Sequence, residues 1–442
     1  MKETTWRNWG RTASCTPVAI EHPANEYELQ QIIAQAAANG QQIRPVGSGH
    51  SFTDIACTDS VMVSLDYLRH RPAVDFEART VTVAAGTTLA ELNRTLAEAG
   101  LAMTNLGDIA YQTVAGAVST GTHGTGLAFG GLATQLRALR FVTADGSIID
   151  ASPSDHPELF DAGRVSLGAL GIMTRATIAV EPAFHLHAIE EPRAIEDVLD
   201  SWLDQVRSND HFEFFWIPGT RRAVTKTNRR TLDPRRPLTQ ATRFRDKIIG
   251  ENVGFGALCR IARYRPQLVP KLGTVIAAAP SRLDYIDHSY KVFASPRWVR
   301  FAEMEYSVPL ADAPAVVRRI ADEVDRAGLR LLFPIEVRAA AADDIPLSTS
   351  HGRESAYIAV HRAHGQPYRE YFELVEAICD EHQGRPHWGK IHFRTAATLA
   401  GRYPRWSEFQ AVRRSFDPDG LFTNDYLDRV LGPESTGSRS TT

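Results

Sequence analysis

PVGSGHSFTD, residues 45–54, follows the strand-like run QIRPV and sets two glycines, Gly47 and Gly49, around Ser48 directly before His50. Glycine admits positive φ and lets a backbone approach a large ligand closely. Consecutive backbone N–H groups in such a turn make a concave anion site suited to a pyrophosphate. Alone, a glycine-rich turn with a histidine is more often a structural device than a catalytic one. A second cluster, VAGAVSTGTHGTG at 114–126, leaves little side-chain volume and offers the hydroxyls of Ser119, Thr120, Thr122 and Thr125 to phosphate oxygens or a ring system. It too reads alone as a tight loop. Two such clusters in one region, each with a histidine (His50, His123), point to a dinucleotide site. Neither is a GxGxxG opening a helix within a βαβ unit, so a Rossmann-type NAD site is disfavoured.

Outward from these clusters, residues 25–39 carry apolar positions at Leu29, Ile32, Ile33 and Ala36, with Asn25 as cap and Gly40 as stop, the pattern of an amphipathic helix. Strand-like runs follow at 61–68 and 80–86, a helix at 88–99, and a hairpin, LRALRFVTADGSIID, turning at Asp145-Gly146. After Glu181-Pro182 the chain becomes richer in arginine, proline and aromatic residues, which places a domain boundary near 180. Beyond it, FEFFWIP, FAEMEYSVPL, LRLLFPIEVRA and SAYIAVHRA read as strands, with helices at 193–207, 311–327 and 367–382. The expected class is α+β, with an antiparallel sheet in the second domain and helices packed on one face. PESTGSRSTT, 433–442, reads as a disordered tail.

A chain of 442 residues exceeds one ordinary core, and 43% hydrophobic against 23% charged residues is globular composition. The net charge of -3, with basic residues spread along the chain, gives no nucleic-acid footprint and favours a small-molecule partner. Cys15, Cys57, Cys259 and Cys379 have no zinc-ligand spacing and read as reduced thiols of a cytoplasmic protein. No window is long and apolar enough for a transmembrane segment, and the most apolar stretch, 268–280, reads as buried in a core or interface.

GRPHWGKIH, 384–392, has the GxxxxGK spacing of a phosphate loop, but Ile391 stands where a magnesium-binding Ser or Thr belongs and His387-Trp388 would obstruct phosphate, so triphosphate hydrolysis is rejected. His382, His387 and His392 recur every five residues, which matches no standard zinc pattern, and no metal is expected. On PIEVRA, Glu336 and Arg338 are two apart and emerge on one face, with Ile335 and Val337 on the other. A charged pair on a central strand signals a polar cavity, because burying it uncompensated is costly.

At GSGHSFTDIACTD, NLGD, VAGAVSTGTHGTG, VSLGALGI, PIEVR and RPHWGK the chain resembles the aldonolactone oxidoreductases of the vanillyl-alcohol-oxidase flavoprotein superfamily, which include L-gulonolactone oxidases and dehydrogenases and D-arabinono-1,4-lactone oxidases. The resemblance runs from Trp6 to Pro433 with the motifs in the family's order, and GHS together with HWxK is a specific combination. It implies an FAD-binding domain over 1–180, a substrate or cap domain over 181–415, and a segment, 416–432, that returns to the first. It implies FAD bound covalently, with His50 joined to a flavin methyl carbon. Arg44, Val46, Gly47, Ser48, Gly49, Ser51, Asn105, Gly107, Asp108, Thr113, Gly116, Ser119, Thr120, Thr122, His123 and Gly124 would line the cofactor. Gly171 and Ile172 would meet its adenine side, and His387 and Lys390 would also contact it.

The resemblance also places Glu336, Arg338 and Lys390 around the substrate and the reactive face of the flavin. Lys390 and Arg338 would stabilise the anionic reduced flavin, Glu336 would orient the substrate hydroxyl and accept its proton, and His361 would add a hydrogen bond. The implied reaction oxidises the secondary alcohol of a gulonolactone-like sugar lactone to a 2-keto lactone that tautomerises to ascorbate. Electrons would pass to oxygen, giving hydrogen peroxide, or to another acceptor. In related plant dehydrogenases an alanine matched here by Gly107 obstructs oxygen, so glycine leans towards an oxidase. The rival readings are an alditol oxidase acting on open-chain polyols such as xylitol and, in another class, a non-catalytic FAD-binding electron carrier.

Overall fold

A computed structural model describes residues 4–245, 252–278, 282–295 and 298–433. Its first part interleaves short strands and helices. Ala19–Glu21, Val61–Ser64 and Ile43–Val46 form a parallel three-stranded sheet with Val61–Ser64 in the centre. A five-stranded antiparallel sheet runs in the order Ile148–Ala151, Leu136–Val142, Ile172–Ala179, Thr80–Ala84, Ala73–Asp75. The local signals act as expected. Helix Glu26–Ala38 starts where the Asn25 side chain accepts from the Glu28 N–H at 2.9 Å. Helix Leu89–Glu98 is closed by a reciprocal box between Thr88 and Glu91. Gly146, at φ 81°, turns the hairpin.

The second part is built on an eight-stranded antiparallel sheet ordered Leu283–His288, His185–Ala194, Arg222–Thr231, His211–Trp216, Ile335–Ala340, Ser355–Ala363, Phe301–Pro309, Arg385–Pro386. Four of these strands were not anticipated: Leu283–His288, His185–Ala194 and Arg222–Thr231, because charged side chains interrupt their apolar alternation, and Arg385–Pro386, because two residues carry no periodicity. The run LRLLFPIEVRA pairs only from Ile335, since Pro334 has no N–H to give a ladder. The helix expected at 193–207 is two, Ile195–Asp200 and Trp202–Ser208, broken where the Ser201 hydroxyl donates to the Asp197 carbonyl at 2.6 Å.

Period-two alternation separates the two faces of this sheet. Phe214, Met304, Tyr306, Val308, Ile335, Val337, Ile358 and Val360 pack with Val316, Val317 and Ile320 of helix Ala313–Arg326 and with Phe372 and Val375 of helix Arg369–Glu381. Each such side chain contributes roughly 1.5–3 kcal/mol when fully buried. The alternate positions therefore point away from the helices, towards the first part of the chain. The C-terminal segment reaches back as well. The Ile43 N–H donates to the Leu421 carbonyl at 2.8 Å, and Asn424 Nδ2 donates to the carbonyls of Asp54, Ile55 and Cys57 at 2.8–3.2 Å. Of the expected tail only Pro433 lies within the described residues. No described helix is long and apolar enough to cross a membrane.

Candidate active site

A cavity of about 800 Å³ lies against the helix-free face of the large sheet. Its polar wall follows from strand register. Lys226 is paired with Glu190 on one side and Glu213 on the other, and Glu213 faces Arg338 on the next strand, where Arg338 Nε donates to Glu213 Oε2 at 3.0 Å. Charge thus alternates across four neighbouring strands. One row along, Glu336, Ala359 and Glu305 are register partners, and Glu303 stands opposite His361.

Arg338 is the hub of this wall. It pairs with Asp108 at 2.6 Å, with Glu213 and with Glu336, while Lys226 holds the other oxygen of Glu213 at 3.2 Å. The buried carboxylates Glu213 and Glu336 and the partly buried Asp108 thus crowd Arg338, and with Glu190 beside Lys226 the wall carries more carboxylates than cations. Glu336 absorbs the imbalance: burial, with Asp108 and Glu213 adding, pushes its carboxyl up to about 7 against the pull of Arg338. Burial lowers the Arg338 guanidinium less than its three carboxylates raise it, so it stays charged.

The opposite side of the cavity is organised by the turn His387-Trp388-Gly389-Lys390. Trp388 is fully buried, donates to the Leu347 carbonyl at 2.7 Å and stacks on Tyr403, fixing the turn from behind. The Gly389 carbonyl accepts the Phe52 N–H at 2.7 Å, joining the turn to the PVGSGHSFTD loop. Lys390 lies 5.0 Å over the Phe52 ring and is ion-paired to Glu303, whose second oxygen is 3.5 Å from His361 Nε2. Burial opposes ionisation of Glu303, but Lys390 and His361 outweigh it and hold the carboxyl at about 2. Glu305, 3.3 Å from His123 Nε2, is likewise held well below the usual range, burial being outweighed by His123. His123, Glu305 and His387 come close enough to suggest a ligand set. His387 Nδ1, however, accepts the Gly389 N–H at 3.0 Å, so its proton resides on Nε2 and the neutral ring has no free lone pair for an ion.

A smaller cavity adjoins the first, and His50, Ser51, Gln112 and Thr120 line both. Its walls come from Arg44 to Ser51, from Thr113, Gly116 and Ser119, and from Gly171. Gly49 is at φ 67°, and the amides of Ser48, Gly49, His50 and Ser51 have no hydrogen-bond partner among the described residues. Four free N–H groups in a concave turn form a cradle for a pyrophosphate. His50 stacks against Trp9, its ring nitrogens have no partner among the described residues, and burial with nearby Lys390 lowers it to about 4, so the imidazole is neutral. A flat ring in the large cavity and a phosphate chain in the small one, meeting at His50, is an arrangement that FAD fits.

The structure brings Glu336, Arg338, Lys390, His361, His50, Ser51, Gly107, Asp108, Thr120, Thr122, His123 and His387 to the large cavity. Three expected cofactor contacts line neither cavity. Asn105 spends its side chain on the Leu106 N–H and the Thr125 carbonyl. Gly124 is a packing glycine, since a Cβ there would lie 2.3 Å from the Leu106 carbonyl. Ile172 is a fully buried strand residue. Arg44 borders the small cavity, but its guanidinium donates to the carbonyls of Ile55, Leu167, Gly168 and Phe422 and so ties three segments together. Glu213, Lys226, Glu303 and Glu305 were missed. Glu303 and Glu305 are two apart on FAEMEYS, the same spacing that singled out Glu336 and Arg338.

The family model described as D-arabinono-1,4-lactone oxidase matches residues 176–430, and one described as FAD binding domain matches residues 17–152. An L-gulono-1,4-lactone dehydrogenase of Mycobacterium tuberculosis is 44% identical over 431 residues, covering 97% of this chain and 99% of that one. L-gulonolactone oxidase of Bos taurus is 32% identical, with 97% and 99% covered, and an alditol oxidase of Streptomyces sp. is 32% identical with the same coverage. A solved structure titled solvent-stable cholesterol oxidase superposes with a TM-score of 0.82 at 17% identity, covering 98% of each chain, and shows the shared fold.

Proposed function

The chain belongs to the D-arabinono-1,4-lactone oxidase family of FAD-linked aldonolactone oxidoreductases, and from that premise we propose that it oxidises the secondary alcohol of an L-gulono-1,4-lactone-like sugar lactone to a 2-keto lactone. The observation that carries this reading is the buried Glu336–Arg338 pair, with a carboxyl poised at about 7, facing one cavity with Lys390 and His50. A general base works best with a pKa near the operating pH. A pure electron carrier has no need of such a wall.

FAD, when bound, supplies the two-electron acceptor for the carbinol hydrogen. The amides of residues 48–51 and the small residues from Thr113 to Thr120 would hold its phosphates, and His50 would carry it covalently through a ring nitrogen. Glu336 accepts the proton of the substrate hydroxyl. Arg338 and Lys390 keep fixed positive charge where negative charge develops, which is worth most in a site of low dielectric. His361, with Nδ1 donating to the Pro334 carbonyl at 3.0 Å, is oriented to hydrogen-bond from Nε2. The electrons would pass on to oxygen or to another acceptor, and the 2-keto product of a gulonolactone would tautomerise to ascorbate. The division into 1–180, 181–415 and 416–432 belongs to this proposal, supported by the return of Leu421, Phe422 and Asn424 to the first segment. So does a cytoplasmic site of action, supported by four free cysteines.

The test is an anaerobic spectrum of the purified holoprotein with L-gulono-1,4-lactone and, separately, xylitol, followed by air. Bleaching by the lactone supports the proposal, and rapid recovery with peroxide makes oxygen the acceptor. Bleaching by xylitol alone moves the chain to polyol oxidation, and protein without flavin overturns the proposal.

A further inference from the structure

The charged row on the cavity wall extends past the groups that the oxidation uses. Arg338, Glu213, Lys226 and Glu190 occupy successive register positions on neighbouring strands, so the row runs three interstrand spacings, roughly 14 Å, from the strand of Arg338 to that of Glu190. Lys390 meets the sheet at Glu303, on the other side of Glu336 from Lys226. The reacting groups therefore gather at one end of the row. At the other end Lys226, Glu190 and Tyr285 all line the cavity. Tyr285 stands opposite Ala188 on the next strand, and its hydroxyl donates to Glu190 Oε1 at 3.1 Å. Burial works against the Lys226 ammonium, but Glu213, 3.2 Å away, with Asp108, Tyr285 and Glu190 outweighs it and keeps it charged.

Apolar side chains fit this region as well. Val224, two residues from Lys226, Phe215, two from Glu213, and Leu283, the register partner of Glu190, line the same cavity. The stretch 268–280, expected in a core or interface, adds to them: in helix Val269–Ala278, Val269 and Gly273 are buried, while Val275 and Ile276 line the cavity. Buried ion pairs are often no more stabilising than apolar residues of the same volume, so stability does not account for Lys226 and Glu190 here. A few polar groups converging within an apolar cavity wall fix the orientation of a ligand. The ammonium donates, the carboxylate accepts, and the phenol does both, which matches vicinal hydroxyls. An anion would meet Glu190 and Glu213, and a cation would meet Lys226.

We propose that Lys226, Glu190 and Tyr285 form a second subsite, which binds vicinal hydroxyls on a substituent of the lactone ring remote from the oxidised carbon and thereby sets substrate choice. The subsite rests on the lactone-oxidising reading of the cavity. With the reacting carbon at Glu336, the row leads the rest of the molecule towards Glu190. Such hydroxyls come from the side chain of a hexonolactone or from a sugar unit attached to the lactone.

The experiment measures anaerobic flavin reduction of the holoprotein, as kcat/KM, with L-threono-1,4-lactone, which has no substituent, with L-gulono-1,4-lactone and with maltobionolactone. Wild type should prefer a substituted lactone over the bare one by at least about tenfold, and Tyr285→Phe and Glu190→Gln should each cut that preference about tenfold, since a site built to pair a hydroxyl discriminates through it. Preference for the gulonolactone assigns the subsite to the side chain, and preference for maltobionolactone alone assigns it to an attached sugar. The flavin spectrum reports that each variant is folded, and Tyr285→Phe removes a single oxygen. Equal kcat/KM for bare and substituted lactones in wild type, or a preference that both substitutions leave intact, overturns the proposal. Absence of bleaching by all three lactones overturns lactone oxidation itself, and the subsite with it.

Discussion

Glu305 and Glu336 are both register partners of Ala359. They stand on strands that are not neighbours, two interstrand spacings or about 9.6 Å apart, with a single methyl group between them. Burial opposes ionisation of both, but His123 outweighs it at Glu305, while at Glu336 the surplus of carboxylates around Arg338 lets it prevail. Glu305 is therefore held ionised at neutral pH, while Glu336 titrates near it. Ala359→Leu would fill the gap and force the carboxylates aside, because a packed core resists added methylenes. Lactone-dependent flavin reduction should drop at least about tenfold with flavin content unchanged, read by stopped-flow bleaching.

Glu336 sets the pH dependence. With its carboxyl near 7, the base form grows as pH rises, so flavin reduction should increase through that region and level off above it. Glu336→Gln should abolish this limb and slow reduction by about 10²-fold or more. A rise through pH 7 that survives in the variant would assign the titration to another group.

Lys390 and Glu303 form one electrostatic unit. Lys390→Met should slow flavin reduction at least about tenfold while FAD stays attached, and it should cost about 3 kcal/mol of stability by leaving Glu303 buried with only His361 beside it. Lys390→Met/Glu303→Gln should recover much of the stability and none of the rate. Denaturant melts alongside stopped-flow traces separate the two effects.

His50→Ala should give protein whose flavin is released into the supernatant by acid precipitation, because it removes the ring nitrogen available for the bond. Flavin in the pellet would point to a different attachment residue.

Gly107 is a packing position as well as a cavity wall. A Cβ there would lie 2.9 Å from the His123 carbonyl and 3.3 Å from Thr122. Gly107→Ala should therefore lower stability by about 1–3 kcal/mol, seen as a lower midpoint in thermal or denaturant unfolding. Any change in oxygen reactivity must be measured on the fraction that keeps its flavin. An unchanged midpoint would show that the loop at Gly107 relaxes freely.

Much of the fold was legible because its signals are local. Asn25, Thr88 with Glu91, and Gly146 act within four residues of themselves, and the helices and most strands they bound lie where spacing put them. Strands His185–Ala194 and Arg222–Thr231 escaped because their inward charges, Glu190 and Lys226, are balanced only across the sheet, Lys226 standing between Glu190 and Glu213.

The site divides along the same line. His50 beside two glycines, and Glu336 two residues from Arg338, are adjacent in the chain, so their chemistry could be read from it, and Glu303 with Glu305 on FAEMEYS could have been read the same way. That Lys390 meets Glu303, that Asp108 and Glu213 converge on Arg338, and that Arg44 holds carbonyls instead of a cofactor depend on pairings between residues far apart in sequence. Strand register and the docking of the C-terminal turn set those pairings, and with them the surplus of buried negative charge that turns Glu336 from an ion-pair partner into a base.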